Sequence, residues 1–522
     1  MARKPLLVSA IFGTIIIMSI IFWRFSRMSS TPDAGTIQCL RVGIPQVYSN
    51  YDPSQLESTP QVFVVQILGG TLIRIGDNNE YFAAIAEKWL IEDDGKSFLF
   101  TISQTARFSD GTKITPADVV GSVKRFILFP GTHTNFREKI LGADSLVSMQ
   151  DTVIGLEEVG SNQVRIRTKK REPGFLAWLS FPEAMILPAN EAHKRQGELN
   201  FAITSGAYFI RRHQGNSIYL DSNPYFYEPI GSAASCLTIT AYPKVELATE
   251  ALRSGQVDLL DYGAVLDPEF GKIISDTEHF SFTKGFSNAL SYFILNPARP
   301  LFADRKNRQA FYRAFHGSKG MIPYGEHDIF FPASQFLPQT QAGYLTASQV
   351  ETIQNFFERA SEIEKVSAKM QILYPEVFGS KYQNMLATVI ENSGLFEPQF
   401  QTYTEGNVLP ALEKGDFDAL FIIVGMGEKD TEILFDYHFG SKFPLYNFED
   451  KTIRDSIRSA KMTDEKASKI AHYRAISEQL IKEAYITPVA HFSWPIIHTS
   501  KIYYERLNQF QMTNSIWRVS WR

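Results

Sequence analysis

The chain has 522 residues, 44% hydrophobic and 21% charged, with a net charge of −4; at roughly 100–200 residues per domain that length holds two to four domains. No Lys/Arg run exceeds Lys169–Arg171, so the mildly acidic chain lacks the electrostatic footprint of a nucleic-acid binder. Two cysteines, Cys39 and Cys236, exclude a disulfide-rich scaffold and a cysteine-based zinc cluster, and leave one disulfide open.

Residues 5–23 read PLLVSAIFGTIIIMSIIFW, with Arg3 and Lys4 before them and Arg24 and Arg27 after. An uncharged run of this length nearly spans a hydrocarbon core of about 30 Å. A secretory h-region is shorter, roughly 7–15 residues, and ends in a small-residue cleavage site. This run ends in Phe22-Trp23-Arg24. The expectation is an uncleaved signal-anchor over 1–27, with a cleaved signal peptide as the alternative, and a short polar linker over 28–36. No later segment has 18 uninterrupted apolar residues, which predicts a periplasmic or extracytoplasmic body tethered to the cytoplasmic membrane.

The first strand is predicted over 39–44, ended by Pro45. A helix follows over 61–72 and meets Gly69-Gly70. A strictly alternating strand covers 98–102, after an Asp93-Asp94-Gly95 turn. Ser109-Asp110-Gly111 reads as another turn. Thr115, Pro116 and Asp118 spell a helix start with a capping box, and Val119, Val120, Val123 and Phe126 form its apolar face. Strands are predicted over 163–167, 218–220 and 236–242. A helix over 245–252, capped by Gly255, leads to a strand over 257–259. The alternation recurs: strand 370–373, helix 381–393, strand 400–403, helix 408–414 and strand 417–424. Alternating strands and helices imply an α/β architecture with a mixed or parallel sheet.

Metalloprotease, nucleophile-elbow and Ser-x-x-Lys patterns are missing from any convincing context. The ten histidines do not pair at metal-ligand spacing on a helix, and acidic pairs such as Asp93-Asp94 sit in predicted turns. The expectation is a protein without catalytic residues, metal ligands or cofactor.

Ordered landmarks now accumulate. Asn50-Tyr-Asp-Pro53 is followed by Leu68-Gly-Gly-Thr-Leu72 and Ala83-Ala-Ile-Ala-Glu-Lys-Trp89. Phe98-Leu-Phe-Thr-Ile102 precedes Ala106-Arg-Phe-Ser-Asp-Gly-Thr112 and Ile114-Thr-Pro-Ala-Asp-Val-Val120. Further on come Ile203-Thr-Ser-Gly-Ala-Tyr208, Asn223-Pro-Tyr-Phe226, Ala251-Leu-Arg-Ser-Gly-Gln-Val-Asp258, Leu295-Asn-Pro297 and Asp416-Phe-Asp418. In this order the chain, over about 38–520, resembles the family-5 extracytoplasmic solute-binding proteins of ABC importers, the oligopeptide/dipeptide-binding type.

The resemblance implies a two-lobed periplasmic-binding-protein (type II) fold with an extra inserted domain, its mixed sheets flanked by helices and a hinge between lobes. Domain I would be discontinuous, over 37–70, 186–285 and 490–522. Domain II, the insert, would cover 71–185, and domain III, the second lobe, 286–489. An oligopeptide-like ligand would lie in the cleft, held by main-chain hydrogen bonds, with closure by hinge bending. The implied partners are that peptide or small-molecule ligand and the permease subunits of an ABC importer in the inner membrane, with the binding protein a monomer.

Tyr48 and Ser49 follow the first strand at its carboxyl end, where α/β sheets bind ligands; a loop or core role is the alternative. Thr204, Ser205 and Gly206 occupy a segment where some family members touch ligand, against a plain structural turn. Gly425, Met426 and Gly427 permit close backbone approach or a tight turn. In the peptide binders an aspartate of domain III pairs with the peptide's ammonium. A gap-free alignment from Asp416-Phe-Asp418 puts Gly427 at that position, with Glu428 one residue and Asp430 three residues on; both acids also read as solvated loop residues. Trp494 lies near the last domain crossing, with core packing as its alternative. The fold would place Cys39 and Cys236 at equivalent ends of adjacent parallel strands, where an oxidising compartment permits a disulfide. Two other readings use the same fold: a membrane-tethered ligand sensor or scaffold, and a haem or metal-chelate binder.

Overall fold

The computed structural model describes residues 39–56, 58–75, 80–131, 135–172, 174–261, 280–283, 286–318, 330–339, 341–357, 368–376, 379–403, 410, 414–425, 431–440, 450–463, 465–493, 496–504 and 516–522. Three sheets organise them. The first has seven strands: β1 (Leu40–Ile44) at its centre, with strands from four later stretches of chain on its two sides. The second has four, drawn from 86–167. The third has six, drawn from 286–493.

In chain order, β1 leads to α1 (Thr59–Leu68), which stops where the Gly69 N–H bonds back to the Val65 carbonyl. A small hairpin follows, β2 (Ile73–Ile75) and β3 (Tyr81–Ala83). Next come β4 (Ala86–Glu92) and β5 (Ser97–Ile102), then α2 (Pro116–Leu128), β6 (Leu156–Val159) and β7 (Gln163–Arg167). The four-stranded sheet runs β4-β5-β7-β6, antiparallel throughout. Thr115 and Asp118 form the expected capping box. Val119, Val123 and Phe126 are buried as predicted, while Val120 is half-buried against the same core.

The chain then supplies β8 (Tyr208–Gln214), β9 (Ser217–Ser222) and β10 (Cys236–Ala241). After α3 (Val245–Arg253) come β11 (Leu259–Asp261) and β12 (Phe280–Thr283). With β19 (Ile496–Thr499) they complete the order β12-β19-β11-β1-β10-β9-β8. Strand β11 begins two residues later than the sequence suggested. The N–H groups of Gln256 and Val257 still bond to the Ala251 carbonyl at the helix end, so they cannot join the ladder. The six-stranded sheet contains β13 (Phe286–Leu295), β14 (Phe330–Pro332), β15 (Ala368–Pro375), β16 (Phe396–Tyr403), β17 (Ala419–Gly425) and β18 (Ile486–Ser493), in the order β14-β18-β13-β17-β15-β16. Helix α4 (Gly379–Glu391) lies between β15 and β16, close to the predicted 381–393. The helix expected over 408–414 falls largely outside the described residues.

The cores divide the molecule differently from the sheets. One continuous cluster joins the seven- and four-stranded sheets, with Leu40, Val42 and Ile239 packed together with Phe98, Phe100 and Val123. The six-stranded sheet is buried on both faces by its own clusters. Phe293 and Leu295 of β13 point to one side, Tyr292 and Ile294 to the other, as expected of strands covered on both faces. Among the described residues no apolar cluster spans 40–283 and 286–490. The chain passes between these two bodies twice, from β12 into β13 and from β18 into β19. The passages are neighbours, since Phe286 pairs with Ser493 and Thr283 with Ile496.

Candidate functional site

Register shows which strand ends lie at the double passage. Asp261, the last residue of β11, pairs with Ile496 beside it. Strand β1 runs parallel to β11 through Val42↔Leu259 and Gly43↔Leu260, so its carboxyl end, Ile44, is on the same side. Strand β10 is parallel to β1, and the Tyr242 N–H just beyond it donates to the Ile44 carbonyl at 2.8 Å. In the other body Gly425, the last residue of β17, pairs with Ala289 near the start of β13. Strand β15 runs parallel to β17, so its carboxyl end is there too. The carboxyl ends of the parallel strands of both sheets are therefore the ends nearest the passage. Ligands of α/β sheets bind at such ends.

Tyr48 and Ser49 lie in the loop that leaves β1 on this side. Tyr48 is half-buried against the core and Ser49 is exposed. Side chains hold the loop rigidly. The Tyr48 N–H donates to the Tyr51 hydroxyl at 3.0 Å, the Asp52 N–H to Asn50 Oδ1 at 2.9 Å, and Gln61 Nε2 to the Asn50 carbonyl at 3.3 Å. Burial pushes the Tyr51 phenol up to about 12. Asp52 anchors the loop's far end. It accepts from the Ser54 and Gly197 N–H groups and pairs at 2.5 Å with Arg125 of α2; the two side chains are 0% and 1% exposed. Arg125 also donates to the carbonyls of Ala192, Lys194 and Arg195. A buried pair with this many supporting bonds is one whose loss of a single partner is costly.

Thr204, Ser205 and Gly206 stand elsewhere, at the seam between the four- and seven-stranded sheets. The Thr204 hydroxyl donates to the Tyr208 carbonyl at 2.6 Å. Its backbone exchanges bonds with Ser109, N–H to Ser109 Oγ at 3.1 Å and carbonyl to the Ser109 N–H at 2.9 Å. Ser205 Oγ donates to the Ile186 carbonyl at 2.5 Å and accepts from the Gly70 N–H at 3.0 Å. Gly206 has no room for a side chain: a Cβ there would sit 2.5 Å from the Leu68 carbonyl carbon. These residues stitch the Ser109-Asp110-Gly111 turn and the end of α1 to the seam.

Gly425 closes β17 at the passage. Met426, Gly427, Glu428, Asp430 and Trp494 lie outside the described residues, as do segments 1–27 and 28–36. Among the described residues no helix is long and apolar enough to cross a membrane, and no group of three His, Cys, Asp or Glu is placed to hold a metal ion. Cys39 and Cys236 are both disulfide-bonded. The residues after them, Leu40 and Leu237, are register partners on parallel strands.

Other landmark residues fasten the far ends of the sheets. Asp258 accepts from Arg41 Nε at 2.9 Å and Nη2 at 2.7 Å. Asp418 accepts from the Gln371 N–H at 2.9 Å and from Arg299 Nε at 3.4 Å. Sequence reasoning missed the buried Arg125, a cation inside an apolar helix face. It also missed Glu228, which pairs with Arg74 and accepts from Trp517 and Arg518 near the carboxyl terminus.

Residues 80–363 match the bacterial extracellular solute-binding proteins, family 5 middle. A binding-protein homologue of Brucella melitensis is 26% identical over 313 residues, 54% of this chain and 48% of its own; the chain thus spans about half the length of the first curated relatives it matches. Two solved structures share the fold. The Escherichia coli murein tripeptide binding protein MppA superposes with a TM-score of 0.73 at 16% identity, covering 93% of this chain and 98% of that one. The ABC transporter-associated periplasmic binding protein DppA from Helicobacter pylori, in complex with the peptide STSA, gives 0.72 at 17% identity, covering 92% and 98%.

Proposed function

This chain belongs to the family-5 bacterial extracellular solute-binding proteins, and we propose that it captures an oligopeptide-like solute between its two bodies and hands it to the permease of an ABC importer. The observation that carries the reading is the double passage. Two bodies with separate cores are joined by adjacent strands, and the carboxyl ends of the parallel strands in both lie beside the join. Such a join permits hinge closure, and a solute touching both bodies stabilises the closed state by its differential affinity. MppA, with the same fold, is named for binding a murein tripeptide, and DppA is in complex with a peptide, which supports a peptide here.

In this reading Tyr48, Ser49 and the segment from Gly425 to Glu428 face the solute, and Trp494 lies at the hinge. Thr204, Ser205 and Gly206 act from behind by keeping the first body rigid. The three sheets correspond to domains I, II and III. The protein works as a monomer without catalysis, outside the cytoplasm, tethered by the apolar segment 5–23. Gly427 stands where peptide binders of the family carry an aspartate, so the peptide's amine is met by Glu428, by Asp430 or by backbone carbonyls.

The test is to purify the full chain from membranes in mild detergent and identify retained solute by mass spectrometry. Calorimetric rebinding to stripped protein follows. Short peptides that rebind one per chain are expected. No retained solute and no binding heat across a library of short peptides would overturn the peptide reading, and a retained haem or metal chelate would replace it.

A further inference from the structure

A cavity of about 320 Å³ opens at the seam between the four- and seven-stranded sheets. It is lined from one side by Ile85, Ser103, Thr105 and Arg107, and from the other by Tyr225 and Phe226. Among the described residues, none from the strand ends at the double passage lines it. Its volume lies at the low end of small-molecule sites, roughly 300–1,000 Å³, which suits a compact ligand and excludes an extended peptide.

Of the described residues that line it, only Arg107 carries a charge. Its Nη1 donates to the Gly111 carbonyl at 3.1 Å, and among the described residues it forms no ion pair. A guanidinium facing a cavity without a carboxylate favours an anion, and its planar fork suits a carboxylate. Ser103 Oγ and Thr105 Oγ1 lie 3.0 Å apart. One proton joins them, which leaves the other hydroxyl proton able to donate. The remaining lining includes Ala84, Ile85, Ile114 and the Tyr225 and Phe226 rings. Ile85 and Ile114 are buried, and the Tyr225 ring is 46% exposed. That ring is held in place from below. The Tyr225 N–H donates to Asn223 Oδ1 at 2.8 Å, and the ring covers Gly111, where a Cβ would come within 3.1 Å of the phenol oxygen. Gly111 has a φ of +87°, a conformation that itself selects glycine.

We propose that this cavity is a second ligand site, for a small carboxylate with a flat apolar body. The carboxylate meets Arg107 and the Ser103–Thr105 hydroxyls, and the body lies against Tyr225 and Phe226. A ligand here touches segments that flank both sheets of the first body, Ile85 and Ser103 beside the four-stranded sheet and Tyr225 and Phe226 after β9 of the seven-stranded one, so it stabilises that body without taking part in solute capture.

Benzoate and its uncharged isostere benzamide test the site on the full chain, by calorimetry and by thermal midpoint. Benzoate at millimolar concentration raises the midpoint and benzamide does not. Arg107→Gln weakens benzoate by about tenfold or more, the size expected for losing a charged hydrogen bond. Where Arg107→Gln alters the unliganded midpoint, Ala106→Leu replaces it, filling the cavity while keeping the cation, and also abolishes the shift. No benzoate binding to the wild-type chain, equal binding of benzamide, or unchanged benzoate affinity in a normally folded variant overturns the proposal.

Discussion

The seam between the four- and seven-stranded sheets and the passage between the seven- and six-stranded sheets join parts of one chain in opposite ways. The seam has a shared apolar core, the Arg125–Asp52 pair, reciprocal bonds between Ser109 and Thr204, and a glycine packed on backbone. The passage has two neighbouring strands, and no apolar cluster spans it among the described residues. Interiors packed on both sides transmit strain and resist bending, whereas a few strand-end residues can absorb a hinge rotation. In the proposed reading the seam is a weld and the passage is a hinge. The proposed opening and closing of a solute site would then occur at the second, with the first keeping the two sheets of one body together.

Unfolding experiments can break this contrast, because two bodies with separate cores should melt in separate transitions. The largest effect is expected from Arg125→Met, which strips the cation from a fully buried Asp52. It should cost about 3–5 kcal/mol in a urea titration, all of it in the transition of the first body. Phe293→Ala is the mirror experiment, removing a fully buried ring from the six-stranded sheet. Its cost is also about 3–5 kcal/mol, confined to the other transition. If either substitution shifts both transitions equally, the bodies are not independent and the hinge reading fails. Gly206→Ala is next, at about 1–3 kcal/mol, since the added methyl meets the backbone of α1. Ser109→Ala removes the acceptor of one Thr204 bond and should cost about 1 kcal/mol. Both belong to the first transition, and an effect on the second would again dissolve the distinction.

Much of this was legible in the chain. The alternation of Phe98, Phe100 and Ile102 and the Thr115–Asp118 box depend on local stereochemistry, so sequence sufficed for β5 and for the start of α2. Several family landmarks mark contacts between distant segments: Asp258 with Arg41, Asp418 with Gln371, Ser109 with Thr204. What each landmark does was hidden. Thr204 and Ser205 carry the residue types of a ligand-contacting loop, and only tertiary structure shows their hydroxyls bonded to the Tyr208 and Ile186 carbonyls. Arg125 was invisible for the converse reason. A lone arginine on an apolar helix face reads as a solvated edge until Asp52, 73 residues away, is seen against it.

The smallest predicted effect probes the strand that leads into the hinge from the welded side. His498 lies on β19 two residues past the passage, opposite Leu259 of β11 and Ser281 of β12. Burial holds its imidazole below the usual value, Arg522 adds to the depression, and the bond between Nδ1 and the Thr499 carbonyl opposes it. The folded protein therefore keeps His498 neutral at a pH where the unfolded chain has begun to bind a proton. The stability this confers is complete above about 6.5 and is lost as pH falls through the lower, folded value. Other groups titrate over the same range, so the informative quantity is a difference. The transition of the first body should lose less stability between pH 7 and pH 5 in His498→Gln than in the wild-type chain, while that of the six-stranded body shows no difference between the two. A matching change in both transitions would mean that β19 couples the bodies rather than merely connecting them.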